Sequence, residues 1–207
     1  MHLGLNFERA LTYALHVHGG HVRKGTTVPY FSHLMGVAAT VIENGGTEIE
    51  AIAALLHDAV EDQGGRPRLD DIRDRFGSDV ADIVAACSDS LDSVAGEPKE
   101  DWLWRKRKYL STLSRKNPSI LSVTVADKLH NARAIYRDAK TDGEDLWRRF
   151  DKPAEQTIAY YSALYRTIRH VHETPVTAEL GEAVGLLETC IQDKAAHQRY
   201  VDELLAG

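Results

Sequence analysis

Cysteine is scarce in this sequence, and the two that it contains, Cys87 and Cys190, lie far apart and form no C-x-x-C pair. Each is embedded in an apolar helical stretch, so we expect two reduced core residues and neither a disulfide nor a cysteine metal site. A chain of 207 residues can bury a substantial core without such cross-links. We therefore expect a single domain, with room for a helical extension.

Long hydrophobic runs and an excess of positive charge are also lacking. No apolar segment reaches the length of about 18 residues that a membrane helix needs, and the N-terminus does not resemble a signal peptide. The formal net charge is -6, so no overall basic field attracts nucleic acid or an anionic membrane. We therefore predict a cytoplasmic protein that binds neither. Any polyphosphate ligand would require positive charge that is concentrated locally.

Alternating strand patterns are absent, whereas apolar residues recur at helical spacing almost throughout, which predicts an all-α fold. Ser32 is expected to cap the second helix, and Thr47 with Glu50 predicts a capping box for the third. Residues 88–99 and 138–145 are predicted to be loops. The predicted helices cover approximately 7–18, 32–44, 47–64, 69–76, 80–87, 102–113, 118–137, 146–172 and 176–205.

The domain organisation follows from the same pattern. Residues 1–175 are expected to form the main domain, and 176–207 a C-terminal helical extension packed on it. The apolar positions of that extension could instead pair with another subunit, so a homo-oligomer is an open alternative.

The end of the third predicted helix carries the sequence HDAVED, which places an unusual number of polar groups beside a strongly apolar segment. Such groups are costly to bury unless they have partners. The side chains of His57 and Asp58 lie about 100° apart on a helix, so both can reach one ion. An imidazole and a carboxylate together suit Mn²⁺, Fe²⁺ or Zn²⁺.

Two further residues interrupt apolar faces and complete a candidate metal site. His33 lies at the entrance of the second helix, and Asp127 follows an apolar run in a later one. Two His and two Asp ligands leave room for water, which a metal ion makes acidic enough to attack a phosphate. Each residue alone is more often structural than a ligand. Together, the order H…HD…D is that of the HD superfamily.

Several longer motifs make the resemblance closer. The segments HVRKGTTVPYFSH, HDAVED, FGSDV, WLWRKRKYL and ADKLHN resemble the hydrolase domain of RelA/SpoT-type alarmone enzymes, above all the stand-alone small alarmone hydrolases, over about residues 7–170. This resemblance implies an HD-domain helical bundle with a single central metal site that holds Mn²⁺. It implies removal of the 3′-diphosphate from ppGpp or pppGpp, which gives GDP or GTP and pyrophosphate in the stringent response. Leu34 departs from the family, which usually has Pro there.

The resemblance also implies roles for other residues. Glu61 and Asp62 match the catalytic acids, Arg23 and Lys24 the pair that packs against the base, and Asn131 the nucleoside contact. The chemistry agrees, because hydrolysis needs a base that orients water. Arginine can stack on a purine, and lysine can meet phosphate. The alternative for the two acids, and for the basic loop that carries Arg23 and Lys24, is an ordinary solvated surface.

Other functions and sites stay open at this stage. The same metal site could act on an adenine alarmone, on NADPH or on another nucleotide, and a module that binds nucleotide without turnover is a further alternative. The basic cluster 105–108 is either a solvated face or countercharge for phosphates. His18 is expected to be packed and hydrogen-bonded rather than part of a second metal site.

Overall fold

The computed structural model describes residues 2–62, 64–88 and 101–206, and within them the chain is helical apart from turns and one isolated bridge between Val22 and Pro29. The prediction of an all-α fold is confirmed. The α-helices are α1 (Leu5–Val17), α2 (Phe31–Glu43), α3 (Glu48–Leu56), α4 (Ala59–Asp62), α5 (Gly65–Phe76), α6 (Ser78–Cys87), α7 (Trp102–Leu113), α8 (Pro118–Asp142), α9 (Ala154–Ile168), α10 (Pro175–Glu188) and α11 (Lys194–Leu205), and a 3₁₀ helix covers Gly143–Arg149.

The first compact unit comprises residues 1–99 and 117–127, and α3 is its central element. Helices α1, α2 and α6 all pack against α3. Every residue from Glu50 to Leu56 is buried, which is the pattern of a helix enclosed on all sides. The predicted capping box is confirmed, because the Thr47 hydroxyl accepts from the Glu50 N–H and the Glu50 carboxylate accepts from the Thr47 N–H.

The second compact unit comprises residues 100–116 and 128–207, and α9 is its central element. Helices α7, α10 and α11 pack against α9, which buries Ile158, Leu164 and Ile168 completely. Asp193 caps α11 by accepting from the Ala196 N–H. The expected division between 1–175 and a 176–207 extension stays a prediction.

Two predicted boundaries near the candidate metal site are wrong. Ser32 does not cap α2, because the helix begins one residue earlier at Phe31 and Ser32 lies inside it. The predicted helix 47–64 is interrupted, since α3 ends at Leu56 and a turn at His57 and Asp58 precedes the short α4.

The predicted boundaries of the C-terminal helices also need correction. The expected linker 138–145 is not a loop, because α8 continues to Asp142 and the 3₁₀ helix follows directly. The expected helices 146–172 and 176–205 are instead three, separated before Ala154 and again before Lys194. Pro153 precedes α9, and a proline restricts the residue before it to extended backbone.

Two further expectations concern the loop 88–99 and the cysteines. Almost all of the loop, from residue 89 onward, lies outside the described residues. The two cysteines form no disulfide with each other, as expected, but each is only half-buried rather than part of the core. Among the described helices, none is both long enough and apolar enough to cross a lipid bilayer.

Candidate functional site

The four predicted metal ligands come from three places in the first unit. His33 lies in the first turn of α2, His57 and Asp58 form the turn between α3 and α4, and Asp127 lies on α8. His33, His57 and Asp127 are 0%, 3% and 6% exposed, while Asp58 is half-buried. Buried polar groups of this kind are retained where they have partners of complementary charge.

The distances between these side chains match adjacent ligands of one ion. The Nε2 atom of His57 lies 2.9 Å from Asp58 Oδ2 and 3.6 Å from Asp127 Oδ1. The Nε2 atom of His33 lies 3.5 Å from Asp58 Oδ2 and 3.3 Å from Asp127 Oδ1. Neighbouring ligands about a divalent ion, with bonds of about 2.1 Å, are separated by about 3 Å. The structure therefore places the Nε2 atoms of both histidines within 3.6 Å of both carboxylates.

Backbone hydrogen bonding fixes the orientation of the His57 ring. Its Nδ1 lies 2.8 Å from the carbonyl oxygen of Ala54 and must donate to it, since a carbonyl only accepts. In the neutral ring the lone pair then sits on Nε2, which faces the cluster. This arrangement is typical of metal-binding histidines, whose other ring nitrogen donates to a backbone carbonyl. The ligand atoms of His33, His57 and Asp58 lie within 4.8 Å of one another, and this donor set fits a divalent metal ion. Asp127 Oδ1 lies beside both histidines and can add a second carboxylate.

The electrostatics of the cluster favour a cation. Burial alone would lower the pKa of His57, but attraction from Asp58 and hydrogen bonding to Asp127 outweigh it and raise this pKa well above its usual value. Burial would raise the pKa of Asp58, yet the neighbouring His57 and His33 hold it well below its usual value. The Asp58 carboxylate is therefore ionised, and positive charge beside it is stabilised.

Tyr30 is a site residue that the sequence reasoning missed. Its hydroxyl donates a 2.5 Å hydrogen bond to Asp58 Oδ2, the oxygen nearest both histidines. Its ring stacks on the His18 ring at 5.2 Å, and the Arg23 guanidinium lies over it at 5.7 Å. Tyr30 thus connects the basic loop to a candidate metal ligand. An aromatic residue at a helix entrance is usually taken as core, so only its proximity to His33 in sequence could have indicated this role.

Replacing Tyr30 by Phe is expected to weaken metal binding by about 10- to 100-fold, because groups that hydrogen-bond to metal ligands typically contribute that much. The ring and its contacts remain, and only the hydroxyl that holds Asp58 is lost. Mn²⁺ titration against a chelator measures the change. Tyr200→Phe, which removes the hydroxyl of a half-buried tyrosine in the second unit, is the matched control. Equal affinity in both variants would remove Tyr30 from the site.

His18 is packed as expected, but the expected hydrogen bond is wrong. The side chain is 2% exposed, and neither ring nitrogen has a hydrogen-bond partner among the described residues. Burial is the main cause that lowers its pKa to about 4, so the ring is neutral at physiological pH. A neutral ring stacked on Tyr30 supports the position of that tyrosine without adding charge.

The remaining predicted residues differ in how the structure places them. Glu61 is exposed on α4, one turn beyond His57, whereas the side chain of Asp62 lies outside the described part of the chain. Arg23 is half-buried and Lys24 is exposed. Asn131 is half-buried on α8, one turn after Asp127, and belongs to the second unit. Their roles stay predictions.

The loop that carries Arg23 is a closed structure. The Arg23 N–H donates to the Val28 carbonyl at 2.8 Å, and the Tyr30 N–H donates to the His21 carbonyl at 2.8 Å. Gly25 turns the chain at a φ of 72°, a left-handed conformation that glycine adopts without strain. These bonds hold Arg23 and Tyr30 in a fixed relation, since both belong to the same closed loop.

Comparison with known sequences identifies relatives for most of the chain. The HD domain family matches residues 10–154. The guanosine-3′,5′-bis(diphosphate) 3′-pyrophosphohydrolase MESH1 of Mus musculus is 35% identical over 135 residues, which are 64% of this chain and 70% of the mouse protein. A GTP pyrophosphokinase of Streptomyces coelicolor is 33% identical over 158 residues, 76% of this chain. The chain spans only 17% of that pyrophosphokinase and 16% of a probable one from Mycobacterium leprae.

Solved structures share the fold. A metazoan orthologue of SpoT, described as hydrolysing ppGpp, aligns with a TM-score of 0.68 at 23% identity over 88% of this chain and 96% of its own. A protein of Listeria monocytogenes EGD-e aligns with a TM-score of 0.65 at 25% identity over 76% of this chain and 99% of its own. The family model covers most of the chain and includes all four members of the His and Asp cluster, so the chain belongs to the HD domain family, in the group related to MESH1 of Mus musculus.

Proposed function

We propose that this protein is a Mn²⁺-dependent 3′-pyrophosphohydrolase of alarmone nucleotides, which converts ppGpp or pppGpp to GDP or GTP and pyrophosphate. The observation that carries the proposal is the cluster of His33, His57, Asp58 and Asp127, with donor spacings of 2.9–3.6 Å. The name of the mouse relative supports the same reaction. We place the reaction in the cytoplasm, on a small-molecule purine nucleotide rather than on nucleic acid.

Each part of the site has a distinct task in this proposal. When bound, a divalent ion makes water acidic enough to attack phosphorus at neutral pH and offsets charge on the phosphate. The carboxylates of Glu61 and Asp62 orient that water, and one of them accepts its proton. The bond between phosphorus and the 3′ oxygen then breaks, and the 3′ oxygen takes up a proton as the nucleotide leaves. Glu61 is exposed, so it is accessible to water and to a ligand. Tyr30 acts through Asp58, whose carboxylate it holds by a hydrogen bond, and is a positioning residue.

Substrate recognition is assigned to the basic loop and to α8. Arg23 and Lys24 pack against the purine base, and Asn131 contacts the sugar. The support for Arg23 is that its guanidinium already lies over the Tyr30 ring, which fixes its plane beside the cluster. A guanidinium that is held in this way binds a flat base with little further loss of side-chain entropy.

Replacing Arg23 by Ala is expected to raise KM by about 5- to 30-fold with a smaller effect on kcat. A stacking contact of about 1–2 kcal/mol exists in the ground state and in the transition state alike, so it changes binding rather than the chemical step. Steady-state kinetics on the best alarmone measures the split, and metal content should stay constant. Arg148→Ala, which removes an exposed arginine paired only with Asp145, is the control. A fall in kcat alone would place Arg23 at the scissile phosphate.

The experiment that tests the proposed function is incubation with ppGpp, pppGpp, ppApp, NADPH and dNTPs in the presence of Mn²⁺. We expect pyrophosphate to be released from the 3′ position of ppGpp and pppGpp, with GDP and GTP as the other products. If the protein releases orthophosphate from NADPH, or turns over ppApp alone, the metal-site assignment stands but the proposed substrate is wrong. Binding of ppGpp without any product would favour a non-catalytic nucleotide-binding module.

A further inference from the structure

A cleft with a volume of about 630 Å³ lies in the first unit, between α1 and α5. None of the residues that line it belongs to the metal cluster. The volume lies within the range of small-molecule sites. The lining consists of Glu8, Arg9, Thr12, Tyr13, His16, Arg75 and Phe76.

Aromatic and cationic groups of α1 and α5 are held in place at the cleft by an ordered network. The Tyr13 hydroxyl donates to Asp71 Oδ2 at 2.6 Å and accepts from Arg68 at 3.0 Å. The Arg75 Nε donates to Asp71 Oδ1 at 2.6 Å, and the Arg75 guanidinium lies over the Tyr13 ring at 5.5 Å. Phe76 packs edge-on against Tyr13, with ring centroids 5.4 Å apart. A planar cation is therefore fixed at the wall of the cleft before any ligand arrives.

This network leaves the Arg75 guanidinium accessible. The Arg75 side chain is 58% exposed, although Asp71 and Tyr13 hold it in one orientation. A fixed, exposed guanidinium plane is a stacking surface for a flat ring, because arginine stacks on aromatic faces and loses little side-chain entropy when it is already ordered.

The α1 side of the cleft supplies an arginine and a histidine whose side chains have no partner among the described residues. The side chains of Arg9 and His16 form no hydrogen bond or ion pair with any described residue. They lie seven residues apart, two turns of the same helix face. Two arginines, Arg9 and Arg75, and one acidic residue, Glu8, line the cleft, while Asp71, which pairs with Arg75, is not part of the lining. In a chain with net charge -6, an unused arginine beside a fixed one marks a local preference for an anion.

We propose that this cleft is a second ligand site, separate from the metal centre, that takes a nucleoside phosphate. The base stacks on the Arg75 guanidinium beside Phe76, and the phosphate is bound by Arg9 and His16. The carboxylate of Glu8 and the hydroxyl of Thr12 are in place to hydrogen-bond the sugar hydroxyls. A ring alone would contact only Arg75 and Phe76, and a phosphate alone only Arg9 and His16. Strong binding therefore requires a ring and a phosphate on one molecule.

Isothermal titration with ADP as the probe tests this site, with adenosine and pyrophosphate as the two half-ligands. We expect ADP to bind to the intact chain, and to bind in the same way when Asp127→Ala has disabled the metal centre. Adenosine and pyrophosphate should each bind at least 10-fold more weakly than ADP. Arg9→Glu should weaken ADP binding by about 10-fold or more, since it reverses the charge that meets the phosphate.

Arg148→Glu is the matched control, because it reverses an exposed arginine outside the cleft, and it should leave ADP binding unchanged. Both arginines lie on the surface, so neither change is expected to unfold the chain. ADP binding that is insensitive to Arg9→Glu, binding that disappears with Asp127→Ala, or no ADP binding at all would each overturn the proposal. The readout is binding alone, so it is independent of which substrate the metal centre hydrolyses.

Discussion

Replacing Asp127 by Ala should abolish both metal retention and hydrolysis while leaving the helical content unchanged. Asp127 Oδ1 lies within 3.3 Å and 3.6 Å of the two histidine Nε2 atoms, so the change removes one carboxylate ligand from the middle of the cluster. Without that charge, two imidazoles and one carboxylate remain, and a hard divalent ion is held poorly by so few oxygen ligands. Metal analysis after gel filtration and a pyrophosphate-release assay measure the two effects.

Asp127→Asn is a second variant for this test, because the amide keeps the shape of a 6% exposed side chain and removes only its charge. It should lose metal as well. Asp74→Ala, which removes an exposed carboxylate on α5, is the matched control and should retain full metal content and activity. Normal turnover by Asp127→Ala or Asp127→Asn would contradict the assignment of the cluster as the metal site.

Replacing Glu61 by Gln should reduce turnover but, unlike Asp127→Ala, leave the metal bound. The expected reduction is about 10²- to 10⁴-fold, the usual scale for general acid–base groups. Glu61 lies beyond the metal cluster on α4 and is exposed, so its loss leaves all four candidate ligands intact. The amide fills the same volume but cannot accept a proton from water. Asp62→Asn is expected to behave in the same way.

Metal content and turnover, measured together, distinguish a metal ligand from a catalytic base. Glu43→Gln on α2 is the control, since Glu43 is exposed and should affect neither metal nor turnover. Loss of metal in Glu61→Gln would make Glu61 a ligand. A change in turnover of less than about threefold would return it to an ordinary solvated residue, since general acid–base groups contribute far more.

The helical fold and the members of the cluster could be predicted because both depend on local pattern. Apolar residues at a spacing of three and four define helices, and a buried His or Asp that interrupts them is conspicuous. The capping box at Thr47 is equally local, and the structure confirms it. His33, His57, Asp58 and Asp127 were selected in this way, and the structure brings their side chains together.

The break at His57 could not be predicted in that way, because apolar residues continue on both sides of it. The His57 ring donates to the Ala54 carbonyl, which is the acceptor that the N–H of residue 58 would use in an uninterrupted helix. A side chain that competes for a backbone carbonyl favours a turn over further helix. The interruption therefore depends on a side-chain orientation that periodicity does not contain.

Tyr30 and the C-terminal boundaries were missed for different reasons. The role of Tyr30 depends on a contact with a residue 28 positions away, which local pattern cannot reveal. Pro153, in contrast, was a visible signal against a continuous helix 146–172. Polarity predicts a loop over 138–142, but polar residues are common both in loops and on exposed helical faces, and this stretch is the end of α8.

The central claim is that His33, His57, Asp58 and Asp127 hold one divalent ion, and a crystal structure with Mn²⁺ tests it most directly. Anomalous scattering identifies the ion by its position, independently of activity. We predict one strong anomalous peak at about 2.0–2.3 Å from both His Nε2 atoms and from one oxygen of each carboxylate, the usual range for such ligands. An anomalous peak elsewhere, or none at these residues at saturating Mn²⁺, would contradict the claim.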